Sequence, residues 1–360
     1  MSGIVNIRKS LLSVLMRTAR WHLRHYLGRV DFPLAATFQL TNRCNLRCVM
    51  CNIPNNPDQS VLPFDLFRGI VKELKGLGCC YASLSGGEVL TIRDFFDYLR
   101  EAKKHLPSVN TVTNGLLLDE AAAGEFKSAG ADSVSLSLDG MEKTHERVRN
   151  SPGAFLKTVK AIEHLKKRAP GVRIVVNTVI MRSNIDDLYG LTKFVERLGV
   201  KHKFQPLNEH PRFDGQKMPY AVDRDMDIRQ VKALVEYLLK RKNVANSAYF
   251  LRSIPGYFSK ENNRGFFDER CVLPSFFCEF RENGLVYPCL AGVAWRDGYP
   301  AGKGLRNIFE SAEYRKEVKR LEGCRLCQKS YSVCYIEPRL TFPVTNFLKY
   351  KLVSRLRGTV

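Results

Sequence analysis

Three cysteines stand close together in the stretch TNRCNLRCVMC, as Cys44, Cys48 and Cys51. A structural zinc ion takes four protein ligands and a disulfide takes two, so a group of three thiols suits neither. A 4Fe-4S cluster has four irons, and three cysteine ligands leave one iron open for a small molecule. The spacing therefore favours such a cluster. A zinc site completed by a distant fourth cysteine is the alternative.

The residues around these cysteines alternate between strand-like and helix-like segments. The pattern predicts strands at 35–41, 81–85, 109–113, 133–139, 172–180 and 202–207, with helices near 64–77, 93–105, 118–129, 153–168 and 186–198. Six β-α units in a row predict a parallel sheet, open or curled into a partial barrel. Ligands of such folds bind at the carboxyl ends of the strands. The sequence places polar and glycine residues at these ends: Gly86, Gly87, Glu88, Asn114, Ser137, Asp139, Asn177 and Gln205.

The CxxxCxxC loop, Gly86-Gly87-Glu88 and the stretch SLDGMEKTHERVRNSPGAF together resemble the radical S-adenosylmethionine (radical SAM) superfamily over residues 35–210. The resemblance implies an α/β fold, a partial (β/α)6 TIM-like barrel. It also implies that Cys44, Cys48 and Cys51 hold a 4Fe-4S cluster whose open iron binds SAM. An enzyme of this kind cleaves SAM reductively and uses the 5'-deoxyadenosyl radical to abstract hydrogen from a substrate.

The resemblance also implies roles at the SAM site. Adjacent glycines let the backbone approach the ligand closely, and Glu88 would accept a hydrogen bond from the methionine ammonium. Ser137, Asp139 and Asn177 would bind the ribose and carboxylate of SAM, with Asn114 and Gln205 completing the site. Turn and capping roles are the alternatives for these residues. His145 is interpreted as a structural hydrogen-bond node and is left out of the site.

The C-terminal part of the chain carries a second set of cysteines: Cys271, Cys278, Cys289, Cys324, Cys327 and Cys334. Together with the stretch NGLVYPC they resemble the SPASM or twitch extension of the superfamily, which holds auxiliary iron-sulfur clusters. The resemblance implies one auxiliary 4Fe-4S cluster on Cys271, Cys289, Cys324 and Cys327, with Cys278 and Cys334 as spare ligands of a second. The cysteines expected later in the pattern are missing, and structural zinc is the alternative.

These features divide the chain into five segments. We predict a basic amphipathic helix at 1–34, a radical SAM core at 35–215, a helical linker at 216–265, an auxiliary-cluster domain at 266–337 and a basic tail at 338–360.

The formal net charge of +21 predicts an anionic partner. Residues 1–30 contain six Lys or Arg and no Asp or Glu, and the residues after Glu337 contain five basic residues and no acid. One helical face carries Leu12, Leu15, Met16, Ala19, Leu23, Tyr26 and Leu27, and the opposite face carries Arg17, Arg20 and Arg24. This helix is predicted either to lie on an anionic membrane surface or to pack across the domain with its basic face in solvent.

The predicted substrate is a lipid or lipid-linked metabolite at the membrane surface. A peptide, or a sugar or antibiotic-type small molecule, is the alternative. Clustered cysteines without a signal peptide predict a cytoplasmic protein, peripheral to the membrane, and a low-potential donor such as flavodoxin or ferredoxin is expected. A non-enzymatic zinc or iron-sulfur protein that binds nucleic acid is the distant alternative. No nucleic acid is expected, because the charge is concentrated at the two ends rather than on one surface with aromatic residues.

Overall fold

The computed structural model describes residues 14–25, 27, 32–208, 226–259, 271–289 and 298–324. Its strands are β1 (Ala35–Gln39), β2 (Tyr81–Ser85), β3 (Ser108–Thr113), β4 (Ser133–Ser137), β5 (Arg173–Ile180), β6 (Lys201–Pro206), β7 (Phe277–Arg281), β8 (Leu285–Tyr287) and β9 (Tyr299–Pro300). Residues 14–25 form helix α1. The other helices are α2 (Phe64–Leu77), α3 (Phe95–His105), α4 (Glu120–Ser128), α5 (Glu142–Arg149), α6 (Ala154–Arg168), α7 (Leu188–Arg197), α8 (Ile228–Leu238), α9 (Ala248–Phe258), α10 (Leu273–Phe276), α11 (Leu305–Glu310) and α12 (Ala312–Glu322).

The strands form one sheet in the order β6-β5-β4-β3-β2-β1-β7-β8-β9. Strands β1 to β6 are parallel neighbours, which confirms the predicted α/β fold with six β-α units. Strand β7 comes from the C-terminal segment and pairs in parallel with β1. The predicted auxiliary domain therefore shares the sheet of the core. The predicted boundaries near 215, 265 and 337 fall outside the described residues.

The two faces of the sheet differ in polarity because successive strand residues point to opposite faces. Phe38, Leu84 and Phe204 are buried in the main core beneath the helices. Helix α2 shows how a helix covers this face: Phe67, Ile70, Val71 and Leu74 recur at helical spacing and are buried. The opposite face carries Ser83, Asn110 and Ser135, which hydrogen-bond to one another. The interior of the partial barrel is therefore polar beside these strands.

Helix α1 packs on the domain with the predicted apolar face turned outward. Leu15, Met16, Leu23 and Leu27 are 57–62% exposed, whereas Trp21 is 4% exposed. The alternative in which the apolar face packs across the domain is therefore wrong for these residues. Leu12 and Tyr26 lie outside the described residues. None of the described helices is long and apolar enough to cross a membrane.

Candidate functional site

The three N-terminal cysteines lie in the loop that follows β1. Cys48 is buried, and Cys44 and Cys51 are partly exposed. The backbone amide of Leu46 donates to Cys44 Sγ at 3.4 Å, and the amide of Cys51 donates to the carbonyl of Cys48 at 3.1 Å. These bonds fold the loop into a tight turn that keeps all three thiols on one short segment.

The electrostatics of this loop suit a metal cluster. The pKa of Cys44 is raised to about 12, mainly by burial and to a smaller extent by the negative charges of Glu88, Cys48 and Cys51. The thiolate is the form of cysteine that binds metal, and three thiolates on one short loop need a compensating cation. Among the described residues, no three His, Cys, Asp or Glu side chains are arranged to hold a single metal ion. The donor set, three thiols without a fourth ligand, is the property that fits a 4Fe-4S cluster.

Gly86 and Gly87 pack directly against the cysteine loop. The amide of Gly87 donates to the carbonyl of Thr41 at 2.7 Å, and the amide of Glu88 donates to the carbonyl of Arg43 at 2.7 Å. A Cβ atom on Gly87 would lie 2.2 Å from Arg43 O, and one on Gly86 would lie 2.7 Å from Thr41 O. Any side chain at these positions would displace the loop, so both glycines are required by the packing of the site.

Glu88 is 1% exposed, and its carboxylate joins the ends of two strands. Oε1 accepts hydrogen bonds from Thr113 Oγ1 at 2.7 Å and from the Leu90 amide at 3.1 Å, and Oε2 accepts one from the Asn114 amide at 2.6 Å. Burial raises the pKa of Glu88 above its ordinary value, which these hydrogen bonds oppose. The Glu88 carboxylate thus already accepts three hydrogen bonds within the protein. The predicted hydrogen bond from the SAM ammonium to this carboxylate stays a prediction.

Asn114 connects this carboxylate to the cysteine loop. Its Nδ2 donates to Asn45 Oδ1 at 2.8 Å, between Cys44 and Cys48 in the sequence. Its own Oδ1 accepts a hydrogen bond from the Leu116 amide. The predicted site residues that follow β2 and β3 therefore form one hydrogen-bonded unit with the loop that follows β1.

Asp139 and His145 belong to a second polar group, at the end of β4. Asp139 is fully buried, its Oδ1 accepts from the Val179 amide at 2.9 Å, and its Oδ2 lies 2.6 Å from Arg149 Nη2. His145 Nδ1 accepts a hydrogen bond from the Asp139 amide at 3.1 Å. Burial lowers the pKa of His145 to about 3, with Arg149 adding to the effect. The His145 ring is thus neutral and accepts a hydrogen bond at Nδ1, which agrees with the structural role predicted for it.

Arg149 was not predicted from the sequence as a site residue. Its Nη1 lies 3.7 Å from Cys48 Sγ, so it connects Asp139 to the cysteine loop. Burial opposes the charge, yet Asp139 and Cys48 together raise the pKa of Arg149 above its ordinary value. The only signal in the sequence was its place four residues after His145 on one turn of a helix.

Ser137, Asn177 and Gln205 lie in neighbouring strands on the polar interior. Ser137 is the register partner of Asn177, and Gln205 is the partner of Val179, two residues further along β5. All three are partly exposed. Their predicted contacts to SAM stay predictions.

A second group of interior residues, also missed from the sequence, ties β7 to the cysteine loop. Gln39 Nε2 donates to Asn42 Oδ1 at 2.6 Å and to Glu282 Oε2 at 3.2 Å, and Asn42 Nδ2 donates to Glu282 Oε1 at 2.8 Å. All three side chains are buried. The C-terminal segment therefore helps to fix the loop that carries Cys44.

The C-terminal cysteines fall into two places. Cys271, Cys289 and Cys324 meet in a small apolar cluster with Phe277 and Tyr287. This placement is consistent with the predicted auxiliary cluster, whose fourth predicted ligand, Cys327, lies outside the described residues, as does Cys334.

Cys278 lies instead in the main core, fully buried, where burial and the nearby thiol of Cys79 raise its pKa well above the ordinary value. The structure does not bring Cys278 into the group of Cys271, because adjacent residues of β7 point to opposite faces of the sheet. Cys79 and Cys80 are also buried.

Comparisons with known proteins agree with this arrangement. A family model described as the radical SAM superfamily matches residues 38–195. The AdoMet-dependent heme synthase of Methanosarcina barkeri is 31% identical over 84% of this chain and 90% of its own length. The mycofactocin maturase MftC of Mycolicibacterium smegmatis is 24% identical over 83% of this chain and 75% of its own. The PqqA peptide cyclase of Granulibacter bethesdensis is 28% identical over 48% of this chain and 47% of its own length.

A solved structure has the same fold. The structure described as native anSMEcpe with bound AdoMet superposes with a TM-score of 0.62, covering 90% of this chain and 98% of its own at 19% identity. At this identity the likeness concerns the fold alone.

Proposed function

The chain belongs to the radical SAM superfamily, and on that premise we propose that it modifies a C–H bond of a peptide substrate. It is an enzyme that uses a 4Fe-4S cluster and SAM. The peptide replaces the lipid or lipid-linked substrate predicted from the charged ends of the sequence. The observation that carries the proposal is the likeness to maturases and a peptide cyclase over the barrel.

When bound, the cluster and SAM would supply the radical chemistry that removes a hydrogen atom from the substrate. In this proposal Cys44, Cys48 and Cys51 hold the cluster. Gly86 and Gly87 let the backbone of residues 41–43 pack directly on them and so fix the start of the loop, because a Cβ atom at either position would meet that backbone. Arg149 holds a positive charge against Cys48, where it stabilises the thiolate.

The polarity of the barrel interior supports a peptide over an acyl chain. Asn110 Nδ2 donates to Ser83 Oγ, and its Oδ1 accepts from Ser135 Oγ, on the interior face. Asn177 and Gln205 follow on β5 and β6 and are partly exposed. An acyl chain packed on the amides of Asn177 and Gln205 would remove the hydrogen bonds that solvent offers them, which costs roughly 1–3 kcal/mol for each group. A peptide backbone offers a donor and an acceptor at almost every residue.

We propose further that Cys271, Cys289, Cys324 and Cys327 hold one auxiliary 4Fe-4S cluster. Three of them meet in one apolar cluster, on the face of β7 that also carries Glu279 and Arg281. Arg281 is a register partner of Gln39, which reaches the cysteine loop through Asn42. An auxiliary cluster there would lie on the same side of the sheet as the SAM site, suited to electron transfer.

A second candidate is a step in heme synthesis. The Methanosarcina barkeri heme synthase is 31% identical over 84% of this chain, a higher identity than that of MftC or of the PqqA peptide cyclase. This candidate needs the same cluster and the same SAM site, and it differs only in the molecule that enters the barrel.

The test is anaerobic reconstitution with iron and sulfide, followed by dithionite and SAM, with 5'-deoxyadenosine measured by mass spectrometry. The substrates to compare are precursor peptides encoded beside the gene and heme precursors. We expect peptide to stimulate deoxyadenosine formation and to lose hydrogen. Conversion of the heme precursor alone would overturn the peptide proposal and favour the second candidate. Cys48→Ala should abolish product, and Cys79→Ala, which removes a buried thiol of the core, should retain it.

A further inference from the structure

The exposed face of α1 is an apolar surface of unusual composition. Leu15, Met16, Leu23 and Leu27 are 57%, 59%, 62% and 59% exposed, and they make up half of the eight large hydrophobic residues exposed in the described part of the chain. Leu15, Met16 and Leu23 lie on one side of the helix with the exposed Ala19 between them. Leu27 follows just beyond the helix, and its amide donates to the carbonyl of Leu23 at 3.1 Å. We call these four residues the apolar stripe. Such a continuous group differs from the single exposed hydrophobic residues that are normal on a protein surface.

The other side of α1 fixes the helix to the domain. Trp21 is buried with Leu34 and Cys80 at the start of β1 and β2, and its indole Nε1 donates to the carbonyl of Ser275 at 3.3 Å. Arg17 Nη1 donates to the carbonyl of Cys79 at 2.6 Å. The apolar stripe therefore faces away from the protein because the opposite side of the helix is held by the core, and its direction is set by these contacts.

Basic residues surround the stripe. Arg20 is exposed beside it, and Arg24 lies over the ring of Phe32 at 5.5 Å. Residues 1–30 contain six Lys or Arg and no acid, so no carboxylate in this stretch neutralises them. An exposed apolar stripe in an acid-free basic segment is complementary to a bilayer with anionic headgroups, which offers apolar depth and negative charge together.

We infer that the apolar stripe of α1 docks on the surface of an anionic lipid bilayer and holds the enzyme there as a peripheral protein. The inference goes beyond the proposed function, because it concerns where the enzyme sits and leaves the chemistry of the barrel unchanged. The candidate SAM site lies at the carboxyl ends of the strands, whereas α1 packs against residues at the amino ends of β1 and β2. Docking through α1 would therefore leave the SAM site uncovered.

A second copy of this chain is a weaker occupant for the stripe. A standard protein interface uses ~20–30 residues on each side, far more than one short helix face provides. Two copies would also bring two acid-free basic segments together, and like charges repel.

The test is vesicle flotation of the reconstituted full-length enzyme. Vesicles of phosphatidylcholine with phosphatidylglycerol are compared with vesicles of phosphatidylcholine alone. We expect the protein to float with the anionic vesicles, and the variant with Leu15, Met16, Leu23 and Leu27 all changed to Ser to lose at least tenfold in its partition coefficient. Leu23→Ser should weaken binding severalfold, whereas Leu156→Ser, at 54% exposure on α6, is the matched control and should not.

A second set of variants tests the positive charge beside the apolar stripe. Arg20→Glu should weaken binding to anionic vesicles and leave the weak binding to neutral vesicles unchanged, whereas Lys157→Glu on α6 should change neither. Iron content and the basal deoxyadenosine formation of each variant show that it is folded. A wild-type protein that stays in the bottom fraction with anionic vesicles overturns the inference. The inference is also overturned if the variant with four serines floats like the wild type. It is overturned as well if the wild type is a dimer in solution and this variant is a monomer.

Discussion

Arg149 places one guanidinium nitrogen 2.6 Å from Asp139 Oδ2 and the other 3.7 Å from Cys48 Sγ. One cation thus links a fully buried carboxylate at the end of β4 to the second cysteine of the loop after β1. Because two elements far apart in sequence meet in this contact, the position of Cys48 depends on α5 as well as on its own loop.

We predict that Arg149→Met destabilises the protein by ~3–5 kcal/mol, because it leaves the Asp139 carboxylate buried and unpaired. It should also move the midpoint potential of the cluster to more negative values, since a positive charge near the thiolates favours the reduced state. The measurements are denaturant unfolding and an anaerobic redox titration followed by electron paramagnetic resonance.

The double variant Arg149→Met with Asp139→Leu separates these two effects. It should recover much of the lost stability, because no unpaired charge remains buried, but it should keep the negative shift in potential. An unchanged potential in both variants would show that Arg149 acts only as a structural ion-pair partner.

Gly87→Ala should disrupt the cysteine loop. The added Cβ would lie 2.2 Å from Arg43 O, a backbone atom that cannot rotate away. We expect loss of iron from the reconstituted protein and loss of deoxyadenosine formation. Gly69→Ala is the control, because a Cβ there meets nothing within 4 Å on α2, and it should stabilise the helix by ~0.5–1 kcal/mol. Normal iron content in Gly87→Ala would contradict the packing of the loop.

Substitutions of the C-terminal cysteines should change the iron content differently, because these cysteines lie in two separate clusters. The enzyme with one auxiliary cluster should hold about eight irons per chain, since each 4Fe-4S cluster carries four. Cys289→Ala should lower this to about four, whereas Cys278→Ala should not change it, because Cys278 lies in the main core apart from Cys271, Cys289 and Cys324. Iron lost equally from both variants would restore Cys278 as a ligand.

The parallel sheet and the positions of the strand-end motifs could be predicted from the sequence, because each depends on a short local pattern. Alternation of apolar residues with turns at Gly86 and Asn114 was enough to order six β-α units. The strand ends were less well predicted: β1 ends at Gln39 and β4 at Ser137, each two residues earlier than expected. The cysteine loop and the buried turn at Asp139 begin there instead.

Contacts between distant elements could not be predicted. The pairing of β7 with β1 joins segments more than 200 residues apart, and no local pattern specifies it. In the sequence, Arg149 looks like an ordinary arginine on a helix. Its partners Asp139 and Cys48 come from two other parts of the chain, so no local pattern predicts these contacts. The sequence of α1 predicted a helix, but it did not predict which side of the helix faces the domain. That side is set by the packing of Trp21 against Leu34 and Cys80.

His202 gives the enzyme a stability that depends on pH. The ring is fully buried in β6 with Nε2 2.8 Å from Thr178 Oγ1, and burial lowers its pKa to about 3. In the unfolded chain the ring has an ordinary pKa of about 6.5, so below that pH the unfolded state binds the additional proton. The stabilisation is therefore complete above pH 6.5 and is lost as the pH falls toward 3.

We predict that His202→Gln reduces this loss. Glutamine can still hydrogen-bond Thr178, but it does not titrate. Between pH 7 and pH 5 the wild type should lose ~2 kcal/mol more stability than the variant, because the histidine contributes ~1.4 kcal/mol per pH unit below 6.5. Denaturant unfolding of both proteins at the two pH values, in matched anaerobic buffers, measures the difference. An equal loss of stability in the two proteins would contradict the prediction, because it would mean that the buried ring of His202 is protonated in the folded state. Such protonation would need a local opening of β6, which the packing of the Phe204 ring on the His202 ring opposes.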